Sequence, residues 1–192
     1  MLYAVAKKEF TNQVVTFADW PAVKEEQPLK QLPTLKTEGQ VLCQSNVIAR
    51  HVARRLGLVG EGCWDETWND LVLEVTKDFY EAVIDKIYTW KLFKSKPEPE
   101  DVSKVMEEVK GQIVKNLNYI QSIADKKGKK FIVGNDIQLG DVWLYAALES
   151  CKLGVPDIMT ITPWVKEFTA KFEADERMKK HMADRAPSSV GI

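Results

Sequence analysis

The chain has 192 residues, 45% of them hydrophobic and 29% charged, with a formal net charge of −1. That length supports one compact unit or two small domains around a sizeable core, and the near-neutral balance supplies no field that would gather nucleic acid or an anionic membrane. Three widely spaced cysteines (Cys43, Cys63 and Cys151) and two histidines (His51 and His181) form no CxxC, HExxH or other ligand spacing, so free thiols in a reducing, cytoplasmic setting and no metal site are expected.

Residues 1–8 read as the last turns of a helix, with Leu2, Val5 and Ala6 on one face and Lys7-Lys8 suited to its C-terminus. Residues 10–17, Phe-Thr-Asn-Gln-Val-Val-Thr-Phe, have the β-branched and aromatic content of a strand. Asp19-Trp20-Pro21 opens a short helical or irregular segment reaching about Glu26. Thr34–Lys36 is a short strand entered through Pro33, Glu38-Gly39 is a tight-hairpin signal, and Val41–Cys43 is the return strand. Ser45 stands where a helix N-cap is wanted. Val47, Ile48, Val52 and Leu56 follow at helical spacing, and Gly57 sits just past the last of them.

Glycines at 57, 60 and 62 mark a boundary between a unit over 1–58 and a second over 64–186. Beyond it the apolar pattern is helical. One long amphipathic helix runs from Trp64 to Trp90 and is broken by Lys96-Pro97-Glu98-Pro99, and a second runs from Val102 to Ile123. Lys126–Lys130 reads as a solvated basic loop and Phe131–Gly134 as a buried connector. Residues 139–151 are apolar on nearly all sides, as in a central buried helix; shorter helices follow from Pro163 and over 175–183, with a loose tail from Pro187. No apolar run approaches the ~20 residues that span a bilayer, and the first residues lack the leading positive region of a signal peptide.

The run Leu32-Pro33-x-Leu35, Glu38-Gly39, Gln44-Ser45 and Leu56-Gly57-Leu58, with Asp19-Trp20 and Lys24 upstream, resembles the glutathione-binding half of the glutathione transferases. The sigma-like class, which includes the haematopoietic prostaglandin D synthases, is the most similar. The resemblance implies an α/β thioredoxin-like N-terminal domain, here incomplete, followed by an all-α helical bundle. It also implies a homodimer that binds glutathione as co-substrate and conjugates its thiolate to small hydrophobic electrophiles.

By this resemblance, Gln44 and Ser45 hold the γ-glutamyl carboxylate at a helix N-terminus, whose N–H groups and dipole suit an anion. Ser45 as a plain N-cap is the alternative reading. Leu32, before a cis Pro33, offers its backbone to the cysteinyl part, with Gln31 beside it. Trp20 and Lys24 contact the glycyl carboxylate, and Asp78 reaches the ligand's ammonium across the dimer. Asp141 matches the family's buried capping aspartate, but Gln138 stands where the family has Ser or Thr, so a weakened cap is expected. An acceptor pocket against Tyr88 or Trp90 competes with a core role for those rings, and His51 reads as packed or solvated.

The resemblance also calls for a hydroxyl or thiol that hydrogen-bonds the glutathione sulfur and lowers its pKa. Tyr3 is the one candidate. If Met1–Ala4 were the first strand, only Ala4–Glu9 would remain for a crossover that needs about ten or more residues. The other register, favoured here, makes residues 1–8 the tail of the first helix and leaves the first strand and the activating residue out of this sequence. The N-terminal unit is then expected to be loosened or rearranged, with the bundle carrying most of the stability. A binding or structural relative without turnover, such as the transferase-like lens crystallins, is the alternative function. An interaction module, like the transferase-like domain of elongation factor complexes, is a third.

Overall fold

Glu38 and Gly39 both take positive φ, 50° and 74°, the combination that lets a two-residue turn follow the twist of its strands. They join β1 (Thr34–Thr37) to β2 (Gln40–Cys43) in antiparallel register, with Thr34 opposite Cys43 and Thr37 opposite Gln40. In the computed structural model, which describes residues 1–185, this two-stranded sheet is the only one among the described residues.

Before the hairpin come α1 (Leu2–Val5) and α2 (Trp20–Val23), the latter continued by one 3-10 turn to Glu26. After it come α3 (Ser45–Arg55), α4 (Gly62–Val83), a π-helical turn over Ile84–Tyr88, and α5 (Thr89–Lys91). The rest is α6 (Val102–Lys127), α7 (Leu139–Cys151), α8 (Pro163–Ala174) and α9 (Glu176–Asp184). Helix stops follow their chemistry: Gly57 takes φ of 69° after α3, and Gly128 takes φ of 58° after α6 and donates back to Ala124. The tail expected to be loose from Pro187 lies outside the described residues. No helix of the described residues is long and apolar enough to cross a membrane.

The core sits in the bundle, where Val72, Leu73 and Phe79 of α4 meet Leu144, Leu148 and Cys151 of α7, with Ile113, Leu117 and Ile120 of α6 also fully buried. The N-terminal unit adds only Val5, Ala49, Val52, Ala53 and Leu58 to the buried apolar set. Residues 10–17 are a correction. They join no ladder, and Phe10, Val14 and Phe17 are 49%, 60% and 75% exposed. A strand composition needs a partner edge to become a strand, and no described edge reaches this segment.

Asp141 is buried, as expected, and accepts from the backbone N–H of Ile132 at 3.0 Å and of Gln138 at 2.9 Å. Burial raises its carboxyl to about 7 against the pull of those donors. The cap is one-sided, as the expected weakening implies: Asp141 accepts from the Gln138 N–H, but no side-chain hydrogen bond from Gln138 caps α7. The longer Gln138 side chain, which fits because Gly134 has no Cβ in its way, meets Asn69 instead. The basic loop is also less free than its composition implies, since Lys127 pairs with Asp65 at 3.0 Å and lies over the Trp68 ring. His51 is half-buried, and its Nε2 has no hydrogen-bond partner among the described residues.

Candidate functional site

The register of the hairpin decides what lies together. Thr34 faces Cys43, so Pro33, which leads into β1, and Gln44, which leaves β2, share the open end of the sheet. The Leu32–Pro33 peptide is cis, and Gln31, Leu32 and Pro33 are all exposed there. Gln44 holds φ of 70° and ψ of 113°, a backbone conformation that residues other than glycine seldom adopt and that gathers at functional sites.

Gln44, rather than Ser45, is the N-cap of α3, and no side chain caps the helix. Ser45 is the first helical residue, one place later than its N-cap reading put it. The first intrahelical bond runs from Ile48 N–H to the Gln44 carbonyl at 2.9 Å. The N–H groups of Ser45, Asn46 and Val47 therefore precede the intrahelical ladder, at the positive end of the helix dipole. Gln44 and Ser45 are exposed, so an anion meets these donors without displacing a side chain.

Trp20, half-buried, begins α2, and Lys24, exposed, follows one turn later. Gln27 moors this segment to the hairpin: Thr34 Oγ1 donates to Gln27 Oε1 at 3.0 Å, and Gln27 Nε2 donates to the Val23 carbonyl at 3.2 Å. Thr34 is the first residue of β1, so the moored segment ends beside the open end of the hairpin. Among the described residues Lys24 makes no ion pair, whereas Lys30 is tied to Glu25. The arrangement thus offers amide donors at one side and an indole and an ammonium on a segment pinned next to it.

Asp78 has no hydrogen bond or ion pair to this group among the described residues. It lies in a groove between α4 and α6 with Glu81, Gln112, Lys115 and Asn116. It is one turn beyond Glu74, which together with Asp70 pairs with Arg50 of α3. Tyr88 is corrected to a core residue: it is 1% exposed, donates to the Ser150 carbonyl, and accepts from Gly154 N–H at 3.2 Å. Trp90 spends its indole N–H on the Lys86 carbonyl at 2.8 Å. Tyr3 is helical, in agreement with the second register, and stacks on Phe10 with ring centres 5.3 Å apart.

Sequence reasoning missed what holds α3 in place. Arg50 pairs with Asp70 and Glu74, Arg54 with Glu66, and Arg55 with Glu38 at the hairpin turn. The Arg55 guanidinium holds the Glu38 carboxyl below its ordinary range. The signal was legible: arginines four apart on α3 match acidic residues four apart on α4. Gln27 and Asn69 carried no comparable pattern.

Two family models match the chain: glutathione S-transferase, N-terminal domain, over residues 3–54, and glutathione S-transferase, C-terminal domain, over residues 77–185. Glutathione S-transferase 1 of Ascaris suum is 27% identical over 186 residues, which are 96% of this chain and 88% of that one. The crystal structure of the glutathione S-transferase from Ascaris lumbricoides superposes with a TM-score of 0.85 at 27% identity, covering 97% of this chain and 90% of the other. That of the monomeric Na-GST-3 of the hookworm Necator americanus superposes at 0.83 and 24% identity, covering 98% and 90%. With one model over the hairpin unit and another over more than half of the chain, this protein belongs to the glutathione S-transferase family.

Proposed function

We propose that this chain binds glutathione at the open end of its hairpin and passes the thiolate to small apolar electrophiles, the reaction general to its family. The observation that carries the reading is the convergence of Pro33 and Gln44 on an uncapped helix N-terminus. Gln44, Ser45 and the free N–H groups take the γ-glutamyl carboxylate. Leu32 pairs its backbone with the cysteinyl part, and Gln31 lies beside it. Trp20 N–H and Lys24 take the glycyl carboxylate, and binding by amides and an ammonium requires no metal.

The class is sigma-like, on the motif run from Asp19 to Leu58. The active form is a homodimer in which Asp78, which lines the groove between α4 and α6 of its own chain, serves the ligand of the second copy. Sedimentation at micromolar concentration tests this, and a monomer that still binds glutathione refutes it.

Retention on glutathione-agarose and conjugation of a chromogenic aryl halide test the main reading. Ser45→Ala removes one hydrogen bond to a charged group, worth about 1.5 kcal/mol, and so weakens glutathione binding about tenfold. Unchanged retention of Gln44→Ala/Ser45→Ala overturns the site. Tyr3, built into α1 and stacked on Phe10, is not assigned the activating role. That placement favours a second reading, binding without turnover, whose signature is retention with no conjugation.

A further inference from the structure

Asn69 lies on the buried stripe of α4, is 0% exposed, and is saturated with partners. Its two Nδ2–H groups are shared among three acceptors, the Val59 carbonyl at 3.2 Å, the Asp65 carbonyl at 3.0 Å and Gln138 Oε1 at 2.7 Å, and its Oδ1 accepts from Gly140 N–H at 2.8 Å. Alongside, Leu139 N–H donates to the Leu58 carbonyl at 2.8 Å. One amide therefore joins the linker after α3, the helix α4 and the head of α7. An apolar residue would fill the same volume without the desolvation cost of an amide. A fully satisfied buried amide instead makes one docking geometry better than its neighbours.

That geometry is transmitted to the hairpin. Leu58 N–H closes the C-terminus of α3 by donating to Ala53 at 2.8 Å, so the clamped linker sets the axis of a helix of 11 residues. At 1.5 Å per residue α3 is about 16 Å long, and a tilt of about 5° at the clamped end displaces the far end by about 1.4 Å. A displacement of that size is enough to spoil a positioned contact. We infer that Asn69, with Gln138, is a positioning residue for the glutathione site, aiming the Ser45 end of α3 at the ligand from the opposite end of the helix.

The inference rests on the glutathione reading above. The variants are Asn69→Leu, Gln138→Ser and the pair together, and the readouts are glutathione KM (its Kd if the chain binds without turnover), electrophile KM and amide exchange over 45–58 and 109–123. Gln138→Ser gives α7 a capping hydroxyl while removing the reach to Asn69, so it separates aim from folding. Each single variant raises the glutathione KM about threefold to tenfold, leaves the electrophile KM in place, and speeds exchange over 45–58 while 109–123 stays protected. The double variant loses less than the sum of the singles, because both act on one contact. Wild-type glutathione KM in folded Gln138→Ser and Asn69→Leu overturns the inference, as does an equal rise in both KM values. Failure of the wild-type chain to bind glutathione is a different result: it removes the site reading and this inference together.

Discussion

Adding one methyl group at either of two glycines separates close packing from helix propensity. Gly111 lies exposed in α6 with nothing within 4 Å of an added Cβ. Gly111→Ala therefore gains the propensity difference alone, about 0.5–1 kcal/mol of stability. Gly140 lies buried in the first turn of α7, where a Cβ would stand 3.1 Å from Val72 Cβ and Cγ1 and 3.2 Å from Asn69 Oδ1. Val72 has one favoured rotamer in a helix and cannot turn aside, so α4 and α7 must separate by a few tenths of an ångström. Overpacking of this kind costs about 1–3 kcal/mol, and the Gly140 N–H bond to Asn69 stretches as well, at about 1 kcal/mol for a bond of that type. The propensity gain offsets less than half of the total, leaving Gly140→Ala destabilised by about 1–3 kcal/mol. Urea unfolding followed by far-ultraviolet circular dichroism, with unchanged m-values, reads both effects. Equal shifts of the same sign, or a Gly140→Ala as stable as the parent, refute the reasoning.

Arg177 donates to Asp136, Asp175 and, at 3.3 Å, the Val5 carbonyl, and its hydrogen bonds hold both carboxyls below their usual range. Folded pKa values below the unfolded ones contribute stability that is complete above an unfolded carboxylate value of about 3.9 and is lost as pH falls through the folded values. Arg177→Met should then cost more stability at pH 7 than at pH 2.5 by denaturant titration, and equal losses contradict the assignment. In amide exchange, residues 10–17, outside any ladder, should exchange like coil while 71–83 of α4 are protected to the global limit. Strong protection over 10–17 means a pairing has been overlooked.

Residues that carry local chemistry were legible in sequence. The Glu38-Gly39 turn, the glycine stops at 57 and 128, and the even apolarity of 139–151 each specify an outcome within a few neighbours. Phe10–Phe17 failed because strand formation is settled by a partner edge, and composition records only willingness to pair. Ser45 was placed one residue early because Gln44 absorbs the positive φ that opens α3, a conformation no sequence pattern announces for glutamine. Gln138 read as a defect when judged as a lone cap. Its side chain is the partner of Asn69, 69 residues away in sequence, and only the meeting of α4 with α7 displays that role. The open end of the hairpin was legible from the motif run, whereas the groove that Asp78 lines depends on how α4 lies against α6.

The two halves are unequal in a way that bears on binding. Of the 11 large hydrophobics that remain exposed among the described residues, seven lie between Phe10 and Val47, where the chain has a two-stranded hairpin and, around it, two four-residue helices and α3 to cover them. A lone hairpin is marginal in water, so this unit is held by what it is fastened to: α1 against α9, α3 against α4 through its arginines, and the linker through Asn69. The free energy that orders the hairpin is therefore supplied largely by the bundle and, when glutathione is bound, by the ligand, which at 100 times its Kd adds about 2.7 kcal/mol to the state that binds it. If the proposed site and the inferred role of Asn69 both hold, affinity at the Ser45 end and rigidity at the Asn69 end are one quantity read at two places. On the proposed reading, a bundle with a deep core and a scantily covered hairpin holds the N–H donors of α3 in place while leaving the exposed Pro33 and Ser45 open to a tripeptide.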